Sequence, residues 1–294
     1  MSLLQVLIDA LSFGSTYVLL GLGLSLVFSV LGLINFAYGA VVMWGGFIAA
    51  LLLGMGVPYP LAIVAMILAL TVLSVVIGRT AFQPFRGAPP STLLLSSFGV
   101  TLVLQAIAFI FFGQEARQVP SPDWLGNAVA LGPIQIGILQ LVTIAVSVMV
   151  LLLLQLVLYR SGMGLRIRAV AESAEVSELM GIRSNRVLMA VFALSGAIAG
   201  VVAFLWFAKI GSVSSLGDLN ITLKAFIVVV IGGLGTLRGA VVGGLLLGLL
   251  EAVLFTYTPS ALSSWQQTFA FILVTLVLLL RPQGLLGQAT EVSK

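Results

Sequence analysis

Apolar residues run through this chain in blocks of about twenty, the length a helix needs to cross the hydrocarbon core of a bilayer. Short clusters of charge, proline or glycine separate them. The pattern predicts spans at about Leu11–Leu31, Ile34–Leu53, Leu61–Ile77, Leu93–Phe112, Ile138–Leu158 and Val187–Phe207. The last third is less regular. An apolar run at Ala225–Gly235 is only half a span long and breaks at Gly232–Gly239; a glycine-laddered helix then resumes over Ala240–Phe255. A final span is expected at about Ser264–Leu280, closed by Arg281-Pro282. The fold class is therefore all-α, a polytopic bundle of about 8–9 hydrophobic helices with a broken or hairpin helix near the carboxyl end.

Orientation follows from the basic residues, which favour cytoplasmic loops. Arg79–Arg86, Arg160–Arg186 and the tail from Arg281 are the basic segments and are placed inside. Gly113–Gly137 and Ala208–Thr222 are then outside, as is the amino terminus. Ala225–Phe255 must accordingly cross an even number of times, as a hairpin turning at Gly235–Gly239 or as a re-entrant one. Irregular backbone at that depth requires protein or water around it. The pairs Gly196/Gly200, Gly239/Gly243 and Gly244/Gly248 have the small-xxx-small spacing that lets helices approach closely. Packing within one subunit, a subunit interface and the lining of a pathway all remain open for them.

Composition sharpens this picture. Of 294 residues, 61% are hydrophobic and 7% charged, against about a quarter charged in soluble domains. A single membrane domain over 1–294 is expected, because no polar block is long enough for a second. Met1–Gln5 has no basic residue, so the first run reads as a span rather than a cleaved signal. The net charge of +4 reads as membrane topology and not as affinity for nucleic acid.

Cysteine and histidine are absent, which removes disulfides, thiolate and imidazole metal ligands, cysteine nucleophiles and Ser-His pairs. A Ser-Lys dyad would need Lys209, Lys224 or Lys294, none of which has an evident partner in mid-span. The acids within or near spans, Asp9 and Glu251, lie at opposite ends of the chain. The sequence therefore reads as a non-enzyme. Glu251 lies inside an apolar run, where an ionisable group marks a pathway or is bonded near the interface to backbone or a neighbouring helix. Asn35, at the break before Phe36, suits either a helix N-cap or a substrate pathway.

One stretch departs from the oil. Tyr159–Arg186 holds Arg160, Arg166, Arg168, Arg183 and Arg186 together with Glu172, Glu175 and Glu178. Within it, Ala169–Met180 favours a short surface helix, with Val176, Leu179 and Met180 on one face and Glu175 and Glu178 on its flank. Gly181 supplies the stop. Such a helix can lie on headgroups without a partner. An acidic flank is nevertheless a poor choice against an anionic leaflet, which favours docking to another protein.

This segment resembles the coupling loop of bacterial ABC importer permeases, in which a Glu-Ala-Ala motif is followed by three residues and a glycine. Glu175 stands six before Gly181 as that pattern asks; Val176 and Ser177 replace the two alanines. The whole chain is similar to the LivH-type permeases of branched-chain amino acid uptake systems. The matching runs are Gly32–Ala40 (GLINFAYGA), Arg168–Gly181 (RAVAESAEVSELMG), Ala225–Glu251 and Leu280–Gly287 (LRPQGLLG).

The resemblance implies an inner-membrane permease subunit that moves branched-chain or related amino acids inward by alternating access. It implies a second related permease subunit, two cytoplasmic ATPase subunits that use ATP and magnesium, and an extracytoplasmic solute-binding protein. Residues 159–186 would be the coupling loop, with Glu172, Glu175, Glu178, Gly181, Ile182 and Arg186 engaging the ATPase. No cofactor is expected on this chain, which has no P-loop of the form Gly-x4-Gly-Lys-[Ser/Thr]. Two other readings stay open: an importer of the same fold for urea, amides or sugars, and an ion-coupled secondary carrier built on the helix break and Glu251.

Overall fold

The computed structural model describes residues 3–131 and 134–258, with 268–269, 271–272, 275–276, 279 and 284–286 beyond them. Most of the span expected at Ser264–Leu280 therefore lies outside the described residues. Ten α-helical elements are delimited among the described residues: α1 (Leu3–Leu31), α2 (Ala37–Gly54), α3 (Tyr59–Ile77), α4 (Pro90–Phe112), α5 (Ile138–Arg160), α6 (Gly162–Glu172), α7 (Ala174–Leu179), α8 (Ser184–Ile210), α9 (Asp218–Gly232) and α10 (Leu237–Tyr257). Seven stretches, those of α1–α5, α8 and α10, are long and apolar enough to cross a membrane among the described residues. The protein is a multi-pass helical bundle.

Helices α1 and α8 form its centre, and α2, α9 and α10 close around them. Glycine sets how near these helices come. A Cβ on Gly248 would meet the backbone of Gly14 and Ala10, and one on Gly244 would meet Val18. Helix α10 therefore runs antiparallel along α1 almost in backbone contact. Gly196 and Gly200 bring α8 equally close to Leu70, Ser74 and Ile67 of α3. Gly239 and Gly243 seat the start of α10 on Gly232 and Val228 of α9. All three small-residue pairs serve packing inside this subunit.

Helices α4 and α5 lie outermost. Leu95, Leu102 and Ile110 on α4 and Leu152 and Leu156 on α5 are exposed, the apolar surface that a bilayer solvates. The buried positions on the same helices mix leucines (Leu93, Leu104, Leu154, Leu158) with small or hydroxylic residues such as Ser97, Thr143 and Ser147. The Thr143 and Ser147 hydroxyls bond to the carbonyls of Leu139 and Ser15, as polar groups within a membrane must.

Four differences from the sequence reading have physical causes. Helix α1 begins two turns before Leu11, because Asp9 is paired within the protein: Gln5 and Gln140 donate to its Oδ1 at 3.3 and 2.8 Å. Helix α9 begins seven residues before Ala225, since the buried Asp218 carboxylate accepts from Gln105 Nε2 at 2.7 Å. The α4–α5 and α8–α9 connections contain strands. Ala128–Leu131 (β2) pairs with Ile134–Gly137 (β3), and Arg117–Gln118 (β1) pairs with Ser212–Val213 (β4). The helix expected over Ala169–Met180 breaks at Ser173, whose extended backbone ends α6 and whose hydroxyl caps α7.

The α9–α10 hairpin is also resolved. Gly235, in the turn joining the two helices, lies against Phe28 and Ser29 in the last turn of α1, whereas Lys224 lies level with Tyr17. Helix α9 thus runs parallel to α1 and turns near the same end. Its 15 residues span about 22 Å, shorter than a full crossing. The amides of Leu285 and Leu286 bond to the carbonyls of Ile231 and Gly232 at 2.8 and 3.0 Å, satisfying the end of α9.

Candidate functional site

The charged stretch folds as two short helices joined at a corner. Ser161 Oγ accepts from the Gly164 amide at 3.0 Å to start α6, and Ser173 Oγ accepts from the Val176 amide at 3.3 Å to start α7. Glu175 sits in the first turn of α7, where the helix dipole favours an acid. The helix closes in a Schellman turn: the Gly181 amide bonds to Glu178 O and the Ile182 amide to Ser177 O, both at 3.0 Å. Gly181 takes φ +81°, a conformation that costs other residues.

This closure fixes which side of α7 faces out. Ser177 is buried, and Ala174 and Ile182 pack on the core. Val176, Leu179 and Met180 are 57, 83 and 79% exposed. Three large apolar side chains on one short helix that projects beyond the bundle form a surface that water does not favour.

Glu178 ties α7 to the rest of the protein. Arg86 Nη1 lies 2.9 Å from Glu178 Oε1 and donates to Asn185 Oδ1 at 3.0 Å. Arg86 comes from the α3–α4 connection and Asn185 from the first turn of α8, so one guanidinium joins three segments. The Ser184 hydroxyl and the Arg86 guanidinium hold the Glu178 carboxyl below the usual carboxylate range. Glu175 and Glu178 both line a cavity of about 710 Å³, shared with Gln83, Arg86 and Asn185 and opening between α7 and the ends of α1 and α4. Glu172, at the end of α6, and Arg186, on the first turn of α8, are exposed and do not line it.

The two residues weighed for a pathway lie apart. Asn35 is buried, and its Oδ1 accepts from the Ala37 amide at 3.1 Å, an Asx turn that starts α2. The helix N-cap itself is Phe36, so Asn35 stands one residue before the cap rather than at it. One turn on, Gly39 packs against Asp218 O and Thr222 at the start of α9. Glu251 on α10 instead meets α1 and α9. Lys224 Nζ lies 2.5 Å from Glu251 Oε1 and 2.8 Å from the Tyr17 hydroxyl, and that hydroxyl donates to Glu251 Oε2. Lys224 and Glu251 are each 21% exposed. They border a cavity of about 190 Å³ whose wall includes Phe13, Thr16, Trp206 and Lys209.

The family described as "Branched-chain amino acid transport system / permease component" matches residues 6–279. The chain belongs to this family. It is 34% identical to the high-affinity branched-chain amino acid transport system permease protein BraD of Pseudomonas aeruginosa, over 99% of this chain and 97% of that protein. It is 30% identical to the corresponding LivH of Escherichia coli K12, with the same coverage. The fructose import permease protein FruF of Bifidobacterium longum is 28% identical over 93% of this chain and 76% of its own.

In this family member, sequence reasoning missed Arg86, Asn185, Tyr17 and the partnership of Lys224 with Glu251. The sequence marks Arg86 only as a basic loop residue, because its contacts lie 92 and 99 positions away. Lys224 carried a signal, since a lone lysine beside an apolar run calls for a counter-ion. Asp9 and Glu251, at opposite ends of the chain, come to the same end of the molecule because α1 and α10 run side by side.

Proposed function

We propose that this chain is the transmembrane permease subunit, one membrane domain over its length, of an ABC importer carrying branched-chain or related amino acids. Two cytoplasmic ATPase subunits supply the energy, a second permease subunit completes the pathway, and an extracytoplasmic binding protein delivers substrate. Segment 159–186 is the coupling loop. Val176, Leu179 and Met180 enter a groove of the ATPase, with Glu175 and Glu178 on the flank and Gly181 fixing the turn. The observation that carries this reading is the exposed apolar face of α7 on a helix anchored by Arg86. A rigid element with an unsatisfied face can transmit a rigid-body movement; a helix lying on headgroups would not need that anchor. The full-length likeness to BraD supports the amino-acid cargo, and that to FruF keeps a sugar as the second reading.

The test is the assembled complex. Leu179→Asp should abolish co-purification of the ATPase while leaving the helical content of the subunit unchanged. Glu175→Ala with Glu178→Ala should retain assembly and lower substrate-stimulated ATP hydrolysis. Normal assembly and stimulation in both variants would overturn the coupling assignment. Uptake of fructose but not leucine by the wild-type complex would overturn the cargo.

A further inference from the structure

The cavity bordered by Lys224 and Glu251 has features that helix packing does not require. It lies between α1, α8, α9 and α10, with Glu251 about 9 Å of helix rise from the end of α10 and Lys224 about 9 Å from the start of α9. Three charged side chains at such a place are costly in a bilayer and are found where polar cargo passes. Lys224 and Glu251 neutralise one another. Lys209 makes no close ion pair: among the described residues no carboxylate lies within 4 Å of its Nζ, which sits 3.3 Å from the centroid of the Phe13 ring, and Glu251 and Asp9 act on it only from farther away. The residues lining the cavity thus carry one surplus positive charge, with Asp9 a further acid acting on Lys209, next to apolar walls from Phe13, Leu205, Trp206 and Ile210.

We propose that this cavity is a transit site for one zwitterionic α-amino acid, its carboxylate held by Lys209 and its aliphatic side chain against Trp206 and Leu205. The assignment rests on the importer reading above. The surplus cation sets the need for an anionic group. An ammonium would share the Glu251 carboxylate with Lys224 and Tyr17, and the electron-rich faces of Phe13, Tyr17 and Trp206 suit cations, Lys209 lying over the first. Lys224 already lies over two of those rings, at 4.9 Å from Tyr17 and 5.7 Å from Trp206. A volume of about 190 Å³ is below the range of about 300–1,000 Å³ for drug-sized ligands and suits a small metabolite. Lys209 ends α8, so the helix that begins beside α7 finishes at this site.

The chain has no cysteine, so a single thiol can report on the cavity. Thr16→Cys, placed in its wall, is reacted with a charged methanethiosulfonate in the full complex with ATPase and permease partners, in nanodiscs. Saturating L-leucine should slow the reaction about tenfold. Leucinamide, which lacks the carboxylate, should not protect, and this arm needs no further substitution. Lys209→Gln should weaken leucine protection about 10- to 100-fold, the loss of one charge-assisted hydrogen bond; Lys209→Arg should keep it. Equal protection by leucinamide, or none by leucine in a complex that still takes up leucine, would overturn the site and leave the importer reading standing. Protection that depends on phosphatidylglycerol in the disc rather than on leucine would overturn it too, assigning Lys209 to a lipid phosphate. Absence of leucine uptake by the wild-type complex would instead count against the importer reading.

Discussion

Arg86 and Glu178 meet at 2.9 Å across 92 residues of sequence, joining the α3–α4 connection to the projecting helix α7. The same guanidinium reaches Asn185 at the start of α8. Movement imposed on α7 therefore reaches α3, α4 and α8 together. Arg86→Ala should lower substrate-stimulated ATP hydrolysis several-fold while leaving assembly and thermal stability nearly unchanged, because an exposed ion pair contributes little to folding. Arg86→Lys should recover only part, since an ammonium cannot serve Glu178 and Asn185 with the fixed fork of a guanidinium. Wild-type stimulation in Arg86→Ala would contradict this role.

The contact also predicts a pH dependence. The Glu178 carboxyl is held below its usual value of 4.5 by Ser184 and Arg86. A depressed carboxyl contributes above its unfolded value and loses that contribution only as pH falls through the folded value. Wild-type and Glu178→Gln complexes should therefore differ in stimulated activity by a constant factor from neutrality down to about pH 5. Activity ratios that drift across that range would show another group titrating there.

Gly181 offers a test of backbone geometry alone. A Cβ at this position would touch nothing within 4 Å, so any penalty comes from φ +81°. Gly181→Ala should cost about 1–2 kcal/mol locally. Amide exchange at Ile182, whose proton bonds to Ser177 O, should then quicken about 5- to 30-fold. Gly181→Asn should fall between, as asparagine tolerates this region better.

The pair Lys224–Glu251 should behave as a buried ion pair. Glu251→Gln leaves the Lys224 ammonium uncompensated and should destabilise the subunit by about 3–5 kcal/mol. The double substitution Lys224→Met with Glu251→Leu should restore most of the folded yield. Thermal unfolding in detergent, read by circular dichroism, separates the outcomes; a double variant no better than Glu251→Gln would show that the charges themselves are needed for folding.

Gly248 should tolerate no side chain. An added Cβ would stand 2.2 Å from Gly14 N, backbone against backbone, with no flexible group to yield. Gly248→Ala should sharply reduce folded yield, whereas Gly54→Ala, with nothing within 4 Å, should not. Size-exclusion profiles of the two variants decide it.

Most of the bundle was legible because bilayer thickness imposes its length on every span, and the blocks of oil report it directly. Gly181 was legible because a helix stop is a local matter of backbone freedom. What escaped was non-local. No periodicity connects Arg86 to Glu178, or Lys224 to Tyr17. The break at Ser173 was hidden by good helix formers on both sides, and there the capping hydroxyl prevailed over propensity. The early starts of α1 and α9 escaped as well, since nothing nearby in sequence announces Gln140 as the partner of Asp9 or Gln105 as that of Asp218.

Gly196 and Gly200 limit how this protein can move. With α8 pressed onto the α3 backbone at Leu70 and Ile67, neither helix can spin about its own axis without collision. The two can only tilt or slide as a pair. Whatever displaces α7 therefore tips a two-helix beam about 40 Å long, and its far tip is Lys209.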